Sequence, residues 1–313
     1  MKKILRSLFL LILLLVGIWC AASAPIVLTL PAWAGNLLAG VMVILFIGAF
    51  FNRNSALFLA GIELTLLLYF ILLTPPQQFK DVEFMRVFAV KPEIKFLPDG
   101  RFEVIKLRDN HYRTVSDFDD NFIQRTYDPA KVQELEMAVV YWENMMVAAH
   151  IMFNFKFSDG QELTVSVEPR TPVGRSRAPF HCLCKQQELL FVLGTPQDLI
   201  DLRVNYRGED LYLYQMDMSP EQIRIFLDYV IRRTDKLSRE PEFYNLISDN
   251  CITALMPGLQ AACPELKPDM RTLFNGEFPR MLYEQNLLKH RTHESFESLR
   301  SRSFRKGISQ GKL

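Results

Sequence analysis

The N-terminal quarter of the chain differs from the rest in its hydrophobic pattern. Apolar side chains fill three segments there, at about residues 4–22, 33–51 and 56–73. Each segment approaches the ~20 apolar residues that a helix needs to cross a bilayer. We therefore predict that residues 1–75 form a membrane anchor of three transmembrane helices.

The charges beside these segments predict their orientation. Lys2, Lys3 and Arg6 precede the first segment, Arg53 lies between the second and the third, and residues 23–32 carry no charge. The positive-inside rule then places the N-terminus in the cytoplasm and everything after residue 75 in the periplasm of a Gram-negative cell, anchored in the inner membrane. A cleaved signal peptide followed by two spans is the alternative.

Residues 76–288 show a mixed pattern of strands and helices. Ser219-Pro220-Glu221-Gln222 is a capping box that begins a helix reaching about residue 237, and Asp128-Pro129 and Thr195-Pro196 are also typical helix starts. Alternating or apolar runs predict strands at residues 102–107, 137–142, 147–157, 161–168, 188–193 and 210–216. These elements predict an α+β domain with an antiparallel sheet. Residues 289–313 are basic and poor in apolar side chains, which predicts a solvated tail, with a contact to anionic lipid or cell-wall polymer as the alternative.

Composition narrows the classes of function. The net charge is +1, so the overall charge does not favour binding to nucleic acid. The five cysteines are an odd and sparse set, unlike a disulfide framework. His181, Cys182 and Cys184 lie close together, but no second set of ligands follows at a zinc-like spacing. We predict neither a metal site nor another cofactor.

Residues 150–168 have the alternation of a β-hairpin around a Ser158-Asp159-Gly160 turn. A three-residue loop with a left-handed Gly160 pairs residues whose numbers sum to 318, and it sets apolar residues against apolar residues on one face. The same register sets Lys156 against Glu162 and His150 against Glu168 on the other face. A carboxylate orients a histidine and makes it more basic. A structural His–Glu pair on a surface sheet is the alternative.

Cys251 follows three residues that commonly cap helices, Ser248-Asp249-Asn250. We predict that a short helix starts at Cys251 and is ended by Pro257-Gly258. A thiol in the first turn of a helix faces the positive end of the helix dipole, so its pKa should fall. Such a thiol and a carboxylate-oriented histidine together favour nucleophilic acyl transfer. The sequence leaves open whether the two regions meet.

The order and spacing of several motifs resemble the Lnb N-terminal periplasmic domain family over about residues 80–260. The motifs are YW at 141–142, AHIMFNF at 149–155, SVEPR at 166–170, DLIDLR at 198–203, LYLY at 211–214 and PEFYNLISDNC at 241–251. The resemblance implies a papain-like fold with thiol chemistry, similar to circularly permuted NlpC-type cell-wall peptidases. The chain departs from the family at Ile252, where a threonine is usual, and at Glu143, where a glycine is usual.

The roles that follow place Cys251 as the nucleophile, His150 as the general base and later the general acid, and Glu168 as the group that orients His150. Three further residues are predicted to bind substrate: Asn250 and Tyr244 at an oxyanion site, and Arg170 against a phosphate or carboxylate.

The expected function is that of a membrane-anchored periplasmic thiol acyltransferase or acyl hydrolase. Its expected partners are membrane phospholipid or lipoprotein substrates, with acyl groups carried as a thioester, and nucleic acid is not expected. Three spans and a short PPQQFK linker at residues 75–80 would hold such an enzyme beside its substrate. A peptidoglycan amidase or peptidase of the NlpC type and a non-catalytic envelope scaffold are the alternatives.

Overall fold

The computed structural model describes residues 79–142, 145–175, 182 and 185–308, together with single positions between residues 8 and 44. The three predicted spans lie outside its continuous stretches. Within the described residues, no helix has the length and apolar character that crossing a bilayer requires. The chain divides into two compact units. The first unit contains Met1–Glu83, Thr171–Glu188 and Phe243–Leu246, and the second contains Phe84–Arg170, Leu189–Glu242 and Ile247–Leu313.

The α+β class with a mostly antiparallel sheet is confirmed. In the described part of the chain, one nine-stranded sheet has the order β1-β2-β9-β8-β7-β6-β10-β11 with β5 also paired to β2, and β3 and β4 form a second, two-stranded sheet. All six predicted strands are present. The strands are β1 (Glu93–Phe96), β2 (Phe102–Arg108), β3 (His111–Tyr112), β4 (Phe118–Asp119), β5 (Phe122–Tyr127), β6 (Val132–Trp142), β7 (Met145–Phe157), β8 (Glu162–Arg170), β9 (Glu188–Gly194), β10 (Leu211–Gln215) and β11 (Phe304–Arg305).

The longest described helix begins where the capping box predicts. The Ser219 side chain accepts from the Gln222 backbone N–H, and the Gln222 side chain accepts in return from the Ser219 N–H. At the other two predicted starts, Asp128 caps only a single 3-10 turn, and a π-helix follows Pro196. The α-helices are α1 (Pro220–Arg239), α2 (Met256–Ala262), α3 (Phe278–Glu284) and α4 (Phe296–Ser303), the π-helix is Gln197–Tyr206, and the 3-10 helices are Arg86–Phe88, Pro129–Lys131, Met270–Thr272 and Asn275–Glu277.

Both faces of β7 are buried from Ala149 to Phe155. Phe153 and Phe155 on one face contact the ring of Phe226 in α1, at centroid distances of 5.3 and 5.6 Å. Met152 on the other face packs in a cluster with Leu199 of the π-helix. Polar residues of β7 therefore lie in the interior, so His150 is not part of a surface sheet.

Residues 289–308 are part of the fold, which corrects the expected solvated tail. β11 pairs antiparallel with β10, and Leu299 of α4 is buried. Glu294 is nearly enclosed and accepts from the Arg302 guanidinium, which holds the pKa of this carboxyl at about 2. The basic residues of this segment are therefore partly engaged in ion pairs within the domain, and its few apolar side chains suffice to attach it.

Candidate functional site

The predicted register of the β7–β8 hairpin is confirmed. Phe153 pairs with Val165 and Phe155 with Leu163, so the residue numbers sum to 318. Gly160 has a φ of 81° and its N–H donates to the Phe157 carbonyl, as the three-residue loop requires.

One side-chain contact in this hairpin differs from expectation. Lys156 lies opposite Glu162, but its ammonium group contacts the Glu136 carboxylate on β6 at 2.8 Å. Glu162 instead accepts from the Asn154 amide. The register is therefore set by the apolar face and the turn. Lys156 forms its ion pair with Glu136 on β6, the strand on the other side of β7 from β8.

The β7–β8 ladder stops before the strands end. Its last pair is Met152 with Ser166, although the same register would bring Ala149 opposite Pro169. Proline has no N–H to donate to a ladder. The Ala149 N–H donates instead to Asn275 Oδ1 at 2.8 Å, and the Ala149 carbonyl accepts from Cys251 Sγ at 3.9 Å. Side chains from a distant part of the sequence thus occupy the open edge of β7 beside His150.

The predicted contact between His150 and Glu168 is present. His150 Nε2 lies 3.0 Å from Glu168 Oε1 and 2.8 Å from Ser166 Oγ, and the Ser166 hydroxyl donates to the same Glu168 oxygen at 2.9 Å. All three residues are buried. The histidine is therefore held from one nitrogen by both a hydroxyl and a carboxylate.

Arg203 is a neighbour of this group that the sequence reasoning did not select. Its Nη2 lies 3.4 Å from Glu168 Oε1, and its Nη1 donates to Glu209 at 3.0 Å. Arg203 lies in the last turn of the π-helix and is the last residue of the DLIDLR motif. The positive charge beside Glu168 favours the ionised carboxylate.

The predicted helix at Cys251 is wrong in its bounds. Residues 251–255 form turns, and α2 begins only at Met256, with Pro257 in its first turn. Proline fits the start of a helix because the N–H it lacks has no partner there. Gly258 does not end the helix either, since α2 continues to Ala262. A glycine is needed there for another reason, because a Cβ at this position would collide with the ring of Tyr229.

Asn250 caps the turn that contains Cys251. Its Oδ1 accepts from the Ile252 N–H at 2.8 Å and from the Thr253 N–H at 2.9 Å. The predicted capping is therefore present, whereas the predicted role of Asn250 at an oxyanion site stays a prediction.

The predicted lowering of the Cys251 pKa is also wrong. Cys251 is only 3% exposed, and burial together with the nearby negative charge of Glu168 raises the pKa of its thiol to about 11. Hydrogen bonds from the Ile151 backbone N–H and from Asn275 Nδ2, which lies 3.2 Å from the sulfur, act in the opposite direction. Without a regular helix starting at Cys251, no dipole offsets the desolvation. The resting form is a buried thiol.

Asn275 is the second residue that the sequence reasoning missed. It opens the 3-10 helix Asn275–Glu277, and its side chain bridges the Ala149 N–H and the Cys251 sulfur. It lies 24 residues after Cys251, beyond the segment that carries the family motifs. No periodicity marks it, and only the three-dimensional contact identifies it.

Arg170 and Tyr244 have structural contacts of their own. Arg170 donates from Nε to the Phe88 carbonyl at 2.8 Å and from Nη2 to the Ala89 carbonyl at 2.6 Å, and its guanidinium stacks on the Phe84 ring. Tyr244 belongs to the first unit, where it is buried and its N–H donates to a backbone carbonyl. The substrate roles predicted for both stay predictions.

Of the residues suggested as a weak metal cluster, the structure describes only Cys182. It is buried and its thiol donates to Gln187 Oε1 at 2.9 Å. His181 and Cys184 lie outside the described residues. Among the residues that are described, histidine, cysteine and acidic side chains form no group that could hold a metal.

The fold and the site define a mixed α+β domain in which a buried thiol lies beside a His–Ser–Glu group. A family model, the Lnb N-terminal periplasmic domain, matches residues 118–282, which is more than half of the chain. The chain therefore belongs to the Lnb N-terminal periplasmic domain family, and this membership supports a periplasmic location in a membrane context. The search of curated proteins and the search of solved structures both returned no match.

Proposed function

We propose that this protein is a thiol acyltransferase or acyl hydrolase of the periplasm, anchored in the inner membrane by three N-terminal spans. Its substrates are the acyl groups of phospholipid or lipoprotein. The observation that carries the proposal is the position of Cys251 Sγ, which lies 3.9 Å from the Ala149 carbonyl oxygen. Ala149 directly precedes His150, whose imidazole contacts Glu168. A papain-like, circularly permuted NlpC-type arrangement is part of the same proposal.

The first step forms a thioester. His150 Nε2 is engaged with Ser166 and Glu168, so we assign the proton transfer to Nδ1, which takes the proton of the Cys251 thiol. The sulfur attacks the acyl carbonyl carbon, the ester C–O bond breaks, and imidazolium returns the proton to the leaving alcohol. Glu168 stabilises the imidazolium and fixes the ring.

The second step releases the acyl group. An amine or a water molecule attacks the thioester, His150 accepts a proton from the attacking group, and the C–S bond breaks. The proton then returns to the sulfur as Cys251 becomes a thiol again. A transferase and a hydrolase differ here only in the nucleophile that reaches the thioester.

The sulfur is surrounded by donors that suit negative charge. The Ile151 N–H, the Cys251 N–H and Asn275 Nδ2 all act to lower the thiol pKa against the larger effect of burial. Fixed donors in a dry site stabilise charge that develops during reaction. We assign Asn275 Nδ2 to the stabilisation of the thiolate and of the tetrahedral oxyanion.

The test is mass spectrometry of Cys251. The full chain, purified in phospholipid nanodiscs, is digested with trypsin, which releases Cys251 and Cys263 within residues 240–271. A hydroxylamine-sensitive acyl adduct that Cys251→Ala removes and Cys263→Ala retains supports the proposal. An adduct with muropeptides alone would replace the lipid substrate by peptidoglycan. The unmodified protein remaining free of adducts with both substrates would favour the scaffold.

A further inference from the structure

Five large apolar residues in the second unit are exposed to solvent near the site. We call them the apolar rim: Val147, Ile247, Met270, Leu273 and Phe274, each at least 36% exposed. Exposed apolar residues scattered singly need no explanation, whereas a cluster of them marks an interaction surface.

Backbone and side-chain contacts bring three of these residues to Cys251. The N–H groups of Leu273 and Phe274 both donate to the Met270 carbonyl, so the three residues share one turn. Asn275 follows directly, and its side chain contacts the Cys251 sulfur and the Ala149 N–H. The turn is therefore fixed next to the thiol.

The other two rim residues, Val147 and Ile247, lie close in sequence to residues at the thiol. Val147 precedes Ala149 by two positions on β7. Ile247 lies four residues before Cys251 in the segment that leads into its turn. Exposed apolar side chains thus lie on the three segments of the second unit that lead to the thiol, namely β7, the segment before Cys251 and the turn before Asn275.

The charge around the rim points to apolar rather than electrostatic contact. Arg271 is the one basic residue among residues 270–274, and its guanidinium is bound by Asp269 and Glu284. A surface made to hold anionic polymer would present basic groups that are not already neutralised. The rim presents apolar side chains, and the charge of Arg271 beside them is already paired.

The sequence before the described domain indicates what covers the rim. Three apolar segments end at about residue 73, and the chain continues at Phe79 after a linker of a few residues. Six extended residues span at most about 20 Å. If the segments cross the membrane as predicted, the domain is held at its surface.

We propose that the apolar rim docks on the surface of a phospholipid bilayer and admits an acyl chain to Cys251. The docking is inferred from the exposure of the rim residues and from their position near Cys251. The delivery of an acyl chain rests on the proposed function. Contact of this kind depends little on headgroup charge and on salt.

The experiment uses the full chain in nanodiscs that contain a phospholipid with a diazirine on its acyl chain. After illumination, trypsin separates the rim peptide, residues 272–280, from a control peptide, residues 96–101, whose Phe96 is 46% exposed. We expect lipid adducts on the rim peptide, at least tenfold above the control, unchanged from low to high salt. Equal labelling of both peptides, or none on the rim, would overturn the proposal.

A variant tests the same surface without touching the catalytic group. Leu273→Ser with Phe274→Ser removes exposed apolar area, so folding should persist, as circular dichroism and thermal unfolding can verify. We expect at least a fivefold drop in lipid adducts on Met270 and on residues 143–152. An unchanged yield would contradict the proposal, as would adducts that are lost only in high salt.

The outcomes separate docking from catalysis. Adducts at the rim without acylation of Cys251 would retain the docking surface and remove the proposed function. Acylation of Cys251 from bilayer lipid without adducts at the rim would retain the proposed function and remove the docking surface.

Discussion

The two halves of the β7–β8 hairpin have similar polar side chains but different surroundings. In the half next to the turn, the ladder is complete, and Thr164 donates to Asn154 at 2.9 Å while Asn154 donates to Glu162. In the half beyond Met152 and Ser166, the ladder is interrupted. His150 contacts Glu168 there, and the Cys251 thiol contacts the neighbouring Ala149 carbonyl. Both halves contain a buried, hydrogen-bonded polar group.

The two polar groups differ in how the backbone around them is satisfied. Next to the turn, Asn154 and Thr164 are buried and Glu162 is half-buried, and the three side chains satisfy one another within a complete ladder. At the open edge, the backbone groups of Ala149 are satisfied by a thiol and an amide from distant segments. The interruption of the ladder, and not the presence of polar residues, is what leaves room for the Cys251 thiol beside the strand that carries His150.

Removing the thiol tests the comparison most severely. Cys251→Ala should abolish acyl turnover and thioester formation, with a loss of about 1 kcal/mol in the free energy of unfolding from the small cavity. Turnover is measured with phospholipid and with muropeptides, and stability by urea unfolding.

The matched control for this variant is Cys263→Ala. Cys263 is equally buried, at 1% exposure, and burial also raises the pKa of its thiol to about 11. It should lose similar stability and keep full activity. If turnover persists in Cys251→Ala, the half of the hairpin with the interrupted ladder has no reactive thiol, and the proposed functional difference between the two halves is wrong.

Removing the base should cost nearly as much. His150→Ala in the open half should lower turnover by about 10³-fold, because the thiol loses the group that accepts its proton. Asn154→Ala in the closed half should lower the unfolding free energy by about 1–3 kcal/mol, since its partners are left unsatisfied, and leave turnover nearly unchanged. Comparable losses of turnover in the two variants would show that the closed half also takes part in the chemistry.

The hairpin also shows what a sequence can and cannot specify. The register followed from alternation and from Gly160, because pairing and turn geometry are local. The state of Cys251 did not follow, because burial depends on the packing of the whole unit and outweighed the expected dipole effect. Asn275 carries no local pattern, and Arg203 belongs to a motif that does not reveal its partner. Their contacts with Cys251 and Glu168 are visible only in three dimensions.

The raised pKa of Cys251 predicts how its reactivity depends on pH. Alkylation by iodoacetamide should keep increasing between pH 8 and about pH 11, because the thiolate forms only as pH approaches a pKa of about 11. The measurement is the labelling rate of Cys251 by mass spectrometry at each pH. A rate that is high and flat from pH 6 would indicate a resting thiolate–imidazolium pair instead.

The same shift has a consequence for stability. An unfolded thiol ionises near pH 8.5, whereas folded Cys251 keeps its proton to about pH 11. The stability this difference contributes is present below the unfolded pKa and is lost as pH rises toward the folded pKa. Cys251→Ala should therefore flatten the fall in unfolding temperature between pH 9 and pH 11.

Arg203 should adjust the pH dependence of turnover without being needed for it. Its positive charge near Glu168 disfavours imidazolium at His150, so Arg203→Met should move the acidic limb of the rate profile upward by about one pH unit. Arg207→Met is the matched control, because Arg207 also approaches Glu209, at 3.9 Å against 3.0 Å for Arg203. Equal shifts in both variants, or a uniform loss of rate without a shift, would assign Arg203 a purely structural role.

The smallest effect on turnover is expected at the turn of the closed half. Gly160 has a φ of 81°, and a Cβ there would meet no atom within 4 Å, so Gly160→Ala introduces backbone strain alone. The strain should cost about 1–2 kcal/mol of unfolding free energy, and the rate of acyl turnover should stay the same. Gly100→Ala has the same geometry, with a φ of 85° and open space, in the turn between β1 and β2. If Gly160→Ala lowers turnover while Gly100→Ala does not, strain at the turn reaches His150 along β7, and the two halves of the hairpin act as one unit.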